Sequence, residues 1–125
     1  MDIQRLPDAE LLIMKIVWQH EDEITSAQII EALDGKKEWV QATVLNFLAR
    51  LVSRGFLSVR RDGKINIYTP IINEDVYLEV ESKSFLERLH GNSLKSFVAA
   101  LYSGDAITQS DLEELKSFIE EADMQ

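Results

Sequence analysis

Apolar positions recur at helical spacing in six stretches of this chain and at strand spacing in one pair of stretches. Leu11, Leu12, Met14, Ile16, Val17 and Trp18 give residues 7–19 a broad apolar face, and Pro7 suits the start of that helix. Trp18 is expected in the core. Glu21-Asp22-Glu23 reads as a solvated loop. A second helix starts sharply: Thr25 and Gln28 have capping-box spacing, and Ile24 and Ile29 sit where a hydrophobic staple would. Ile29, Ile30 and Leu33 continue its buried side, and Asp34-Gly35 ends it. Lys36 to Val40 is a short connection, with a brief strand expected at Glu38-Trp39-Val40.

A third helix follows. Val44, Leu48, Leu51 and Val52 fall on its inner face, while Gln41, Thr43, Asn46, Arg50 and Arg54 lie opposite. Thr43, Asn46 and Arg50 are three and four residues apart and so line one stripe, bordered by Phe47. Gly55 closes the helix. Leu57–Arg61 and Lys64–Tyr68 read as two strands joined by Asp62-Gly63, a strong hairpin signal, and Pro70 ends the sheet. Three more helices follow. The first spans 74–90, is capped by Asn73 and has apolar points at Val76, Val80, Phe85, Leu86 and Leu89. After Gly91-Asn92-Ser93 comes 94–102, with Leu94, Phe97, Val98 and Leu101. After Ser103-Gly104-Asp105 comes a last helix from Thr108 or Ser110, with Leu112, Leu115, Phe118 and Ile119.

This order predicts a mainly α fold with a small β-hairpin. Residues 1–72 form a winged helix-turn-helix DNA-binding domain, and 73–125 a helical dimerisation domain of three helices. In such a fold the third helix lies in the major groove and the hairpin, or wing, touches the flanking backbone. The C-terminal helices are too few and too short to bury a core alone, so a second copy is expected to complete them.

Charge sharpens this picture. The 125 residues carry net charge −9, yet seven basic and only two acidic residues stand between Lys36 and Lys64, a local +5. Residues 1–70 have net charge −1 and 71–125 have −8, so any nucleic-acid contact is expected from the N-terminal part. The usual partner of such a cationic island is phosphate, and with the winged-helix order the expected partner is double-stranded DNA. Thr43 and Asn46 can bond base edges, Asn suiting adenine, and Arg50 can reach a guanine or a phosphate. Arg60, Arg61 and Lys64 read as phosphate contacts, which position without specifying sequence.

Other chemistry finds little support. There is no Cys, hence no disulfide, thiolate metal site or Cys nucleophile. His20 and His90 each sit at a helix end, outside any metal-ligand pattern. No phosphate loop, nucleophile elbow or acid/base pair is evident, so neither catalysis nor a cofactor is expected. No apolar run is long enough to span a membrane, and the first residues, from Met1 and Asp2, lack a signal-peptide pattern. A cytoplasmic chain without membrane insertion fits. Two alternatives stay open: a winged helix used for protein interaction, and a DNA-binding regulator released by a small effector in a pocket lined by Tyr77, Phe85 and Phe97.

Nearly end to end, the chain resembles the penicillinase-repressor and methicillin-resistance-repressor family of bacterial transcription regulators. The resemblance lies in Leu6-Pro7-Asp8-Ala9-Glu10 with Met14 and Val17-Trp18, in Thr43-Val44, Leu48, Arg50-Leu51 and Gly55-Phe56-Leu57, and in Tyr68-Thr69-Pro70. It continues in Phe85-Leu86, Leu89 through Gly91 and Ser96-Phe97-Val98. It implies a homodimeric repressor of a resistance-type operon that binds a dyad operator. DNA contacts would fall at Gln41, Ala42, Thr43, Asn46 and Arg50, with the wing around Arg60, Arg61 and Lys64. It also implies derepression by a sensor-triggered protease. Relatives are cut at an Asn-Phe pair, whose equivalent here is Ala100-Leu101, a departure that bears on the protease's identity and not on derepression by cleavage. Copper-responsive relatives carry a C-terminal Cys pair that this chain lacks. Val40 stands where relatives often place a helix-capping Ser, which implies that the third helix is capped by other means.

Overall fold

The computed structural model describes residues 3–20 and 22–124; Met1, Asp2, Glu21 and Gln125 lie outside them. The elements run α1 (Asp8–Gln19), β1 (Ile24–Thr25), α2 (Ser26–Leu33), α3 (Gln41–Ser53), β2 (Leu57–Asp62), β3 (Ile65–Pro70), α4 (Glu74–His90), α5 (Leu94–Ser103) and α6 (Gln109–Asp123). The chain divides into two compact units, Met1–Glu81 and Ser82–Gln125, with the boundary inside α4.

The first unit is a winged helix. Its core is built from α1 (Ile13, Met14, Ile16, Val17), α2 (Ile29, Leu33), α3 (Val44, Leu48, Leu51) and the sheet (Ile24, Leu57, Tyr68), closed by Leu6, Phe56, Ile72 and Tyr77. Tyr77 is the buried residue of α4, whereas Val76 and Val80 are exposed, against the expected apolar line. Its hydroxyl accepts the N–H of Leu6 at 2.9 Å, and its ring lies 5.6 Å from Trp18 and 5.8 Å from Phe56. Trp18 in turn donates its indole N–H to the Ile72 carbonyl at 3.0 Å. A phenol satisfied at both ends holds α4 more specifically than a valine stripe could.

The start of α2 is as expected. Thr25 Oγ1 accepts the Gln28 N–H and the Gln28 side chain accepts the Thr25 N–H, with Ile24 and Ile29 both buried. The same two residues, Ile24 and Thr25, pair with Tyr68 and Ile67 as a third strand, in sheet order β1-β3-β2. No strand forms at Glu38-Trp39-Val40; that segment is irregular backbone.

The hairpin register also differs by one position from expectation. Asp62 pairs with Ile65, so the turn residues are Gly63 and Lys64, not Asp62 and Gly63. Gly63 takes φ +64° and Lys64 does not take a positive φ, the pattern of a turn that needs glycine at its first central position only.

α3 ends in a Schellman motif. The Phe56 N–H reaches the Leu51 carbonyl at 2.9 Å and the Gly55 N–H reaches Val52 at 3.1 Å, with Gly55 at φ +83°. At its start, Val40 makes no side-chain cap.

In the second unit α5 is capped by Ser93, which accepts the Ser96 N–H. Thr108 and Asp111 form a capping box for α6. α5 ends at Ser103-Gly104-Asp105, as expected, with the left-handed residue one past the glycine. Gly104 keeps φ −88°, and Asp105 takes the left-handed conformation at φ +59°. Its next residue, Ala106, donates to the Leu101 carbonyl at 2.9 Å. Among the described residues of 82–125, none is buried.

Candidate nucleic-acid interface

The inner face of α3 is fixed by Val44, Leu48 and Leu51, each 1 % exposed or less. The outer face is thereby presented: Gln41, Ala42, Asn46, Ala49 and Arg50 are exposed, and Thr43 is half-buried beside them. Ala49, exposed on this face, carries no polar group that a sequence would signal. It widens the face without adding a hydrogen-bonding group.

Cations around this face are held by aromatic rings. The Arg50 guanidinium carbon lies 6.0 Å from the centroid of Phe47, and Phe47 packs against Trp39 at 5.1 Å. Lys37 Nζ lies 5.9 Å from the Trp39 ring. The row Lys37, Trp39, Phe47, Arg50 orients two cations over ring faces while leaving their charge uncompensated by a carboxylate in that row.

Two other cations of the island have carboxylate partners, which come from far along the chain. Arg54 Nη1 donates to Glu10 Oε1 at 2.6 Å, and Glu10 is only 1 % exposed. Arg54 is therefore a structural tie between α1 and the end of α3. Arg60 Nε donates to Glu23 Oε2 at 2.9 Å, with both side chains about half exposed. An exposed pair of this kind contributes only about 0–1 kcal/mol, so Arg60 can exchange Glu23 for a phosphate at small cost.

The remaining hairpin cations stand at the tip. Arg61 Nε donates to the Gly63 carbonyl at 3.0 Å, and Lys64 is exposed within the turn itself. The one-residue shift of register moves Lys64 from a strand to the apex. Gln41, Ala42, Thr43, Asn46 and Arg50 thus share one helix, and Arg60, Arg61 and Lys64 share one hairpin, both in the first unit.

Among the described residues no group of three or more His, Asp or Glu could hold a metal ion. The titration shifts that stand out belong to core phenols. Burial raises Tyr77 above its ordinary value, opposed by the Leu6 hydrogen bond. Burial likewise raises Tyr68, opposed by a hydrogen bond from Asn66.

Ala100 and Leu101 lie in the second unit, within α5. The Ala100 carbonyl accepts the Gly104 N–H at 3.0 Å. Of the three aromatics considered for an effector pocket, Tyr77 is in the core of the first unit. Phe85 and Phe97 pack edge-on at 5.4 Å in the second, each within 6 Å of the His90 ring.

A family model described as "Penicillinase repressor" matches residues 6–121, nearly the whole chain. This chain is a member of the penicillinase repressor family. It is similar to the penicillinase repressor of Bacillus licheniformis, with 34 % identity over 95 % of this chain and 92 % of that protein. It is also similar to the methicillin resistance regulatory protein MecI of Staphylococcus aureus, with 25 % identity over 91 % of this chain and 92 % of that one. Among solved structures, the DNA-binding domain of the repressor BlaI matches 61 % of this chain and is itself 92 % covered, at TM-score 0.54 and 34 % identity. The monomeric form of B. licheniformis BlaI in complex with the blaP half-operator matches over the same share at TM-score 0.51. The winged-helix fold and membership in a family of repressors, not of enzymes, are thereby established. No helix of this penicillinase repressor family member, among the described residues, is long and apolar enough to cross a membrane.

Proposed function

We propose that this chain is a homodimeric transcriptional repressor of a resistance-type operon, acting in the cytoplasm on a two-fold symmetric operator. One α3 would enter the major groove of each half-site. Gln41, Ala42, Thr43, Asn46 and Arg50 would face the bases, and Arg60, Arg61 and Lys64 would contact the flanking phosphates. The observation that carries this reading is the joint exposure of the polar α3 face and the cationic hairpin tip on one rigid core. The similar B. licheniformis repressor domain, solved on a half-operator, supports it.

Dimerisation through the second unit is supported by what that unit leaves open. Leu94 is 54 % exposed, Tyr102 52 %, Phe118 66 % and Ile119 51 %. A groove of about 480 Å³ between α5 and α6 is lined by Leu94, Val98, Tyr102, Leu112, Leu115 and Ile119. An apolar surface of this size in helices with no buried residue fits a second copy of itself.

Release would follow proteolysis at or near Ala100-Leu101. That peptide is helical, and a protease binds extended backbone, so the last turn of α5 must first unwind. The decisive experiment is a titration of inverted-repeat duplex at increasing salt, with sedimentation of the free protein. A dimer whose affinity falls steeply with salt is the expected result. Absent or salt-insensitive binding, or a single-chain mass at micromolar concentration, would overturn the proposal. Release of DNA by an inducer from an uncleaved chain would replace proteolysis with an effector mechanism.

A further inference from the structure

Resting on the DNA-binding reading above, we infer that Val40 is a specificity-determining residue whose methyl groups read the 5-methyl of a thymine in the major groove.

Val40 is 67 % exposed, the most exposed large apolar side chain among the described residues of the first unit. It stands immediately before α3, next to the exposed Gln41 and Ala42. Its exposure follows from a fixed backbone. The Val40 carbonyl accepts the N–H groups of Thr43 at 3.0 Å and Val44 at 3.3 Å. Its neighbour Trp39 is half-buried and packed on Phe47 at 5.1 Å. The side chain is thus held outward by both flanks, and branching at Cβ leaves it few rotamers to lose on contact.

Within the free chain this side chain is not part of the core. It buries little surface, and it occupies the capping position of α3 without a side-chain hydrogen bond to the helix. A polar residue there would satisfy a first-turn N–H. What Val40 offers is a pair of rigid methyl groups at the leading end of the helix that presents Asn46 and Arg50. In the major groove thymine is distinguished by a methyl group, and small apolar side chains are its ordinary contacts. Amide and guanidinium groups on α3 read hydrogen-bonding edges; beside the short methyls of Ala42 and Thr43, Val40 is the large apolar group, and it is 67 % exposed.

The test uses the full chain and a duplex it enriches from a randomised pool. Each thymine of that duplex is replaced in turn by uracil, which removes the methyl and nothing else. At one thymine per half-site the wild-type protein should lose affinity about fourfold, the effect of one methyl group returned to water. Val40→Ala, which withdraws both γ-methyl groups, should narrow the difference between the thymine and uracil duplexes, and Val40→Ile should keep it. Asn46→Ala should keep it as well, while weakening both. Melting curves confirm that the variants are folded, which an exposed site favours. Unchanged discrimination in Val40→Ala, or no methyl-sensitive thymine in the wild type, overturns the assignment to Val40 alone. Failure of the wild-type chain to enrich any duplex overturns DNA binding and Val40 together.

Discussion

The two units of this chain solve the problem of stability in opposite ways. The first, with 81 residues, buries residues from every helix and strand it contains, down to the indole and phenol that tie its ends. The second has two well-capped helices, and none of its described residues is buried. Capping and amphipathic spacing make a helix; they do not make a core. The lesson is that sequence signals of equal clarity can mark helices that build a core and helices whose apolar faces stay exposed.

Cutting the chain would break the comparison most directly. Residues 1–81 should melt cooperatively at a temperature independent of concentration, whereas 82–125 should gain helicity only as its concentration rises, measured by circular dichroism. A concentration-independent melt of the second piece would show that it is complete alone. Next in size is Arg54→Ala. It leaves the buried Glu10 carboxylate without its partner and should cost the first unit about 3–5 kcal/mol in urea unfolding. Loss of under 1 kcal/mol would show that Glu10 has other support.

Phe118→Asp sharpens the comparison from the other side. It should halve the sedimentation mass while leaving the thermal melt of the first unit intact. Asn46→Ala should then cost about 1–3 kcal/mol at the cognate duplex and relax its sequence preference. Lys64→Ala, by contrast, should weaken all duplexes alike and flatten the salt slope by about one. Equal losses on random DNA would erase the distinction between the helix and the hairpin tip.

The smallest effect concerns pH. Burial holds the Tyr77 and Tyr68 phenols neutral beyond their ordinary range, so folding favours the protonated form. Their contribution is complete below about pH 10 and is lost as pH rises through the raised folded values. Tyr77→Phe should lower stability at neutral pH, because the Leu6 N–H loses its acceptor, and should also flatten the alkaline decline.

The features legible in the sequence were the local ones. Thr25 with Gln28, Asn73 ahead of α4 and Gly55 after α3 announce helix ends because each acts within a few residues. The exposed stripe of α3 followed from helical spacing. What escaped was set by distance or by brevity. Glu10 meets Arg54 across 44 positions and Glu23 meets Arg60 across 37, so a charge count along the chain overstated the free island. β1 is two residues long and has no period to detect. The hairpin slipped by one because Gly63 serves the first central position of its turn. The Tyr77 hydroxyl finds a backbone N–H that no pattern of apolar spacing encodes.

Asp105 gives the second unit a sense of time. Left-handed backbone suits glycine and costs other residues about 1 kcal/mol, and here the strain sits at the turn that closes α5, four positions after Leu101. Each opening of that turn relieves the strain, so the amides of Asp105 and Ala106 should exchange with solvent faster than those in the middle of the helix. Asp105→Gly should slow that exchange. If cleavage at Ala100-Leu101 ends repression, the backbone angle of one residue sets how often the bond comes within reach, and with it how long the repressor lasts once a protease is active.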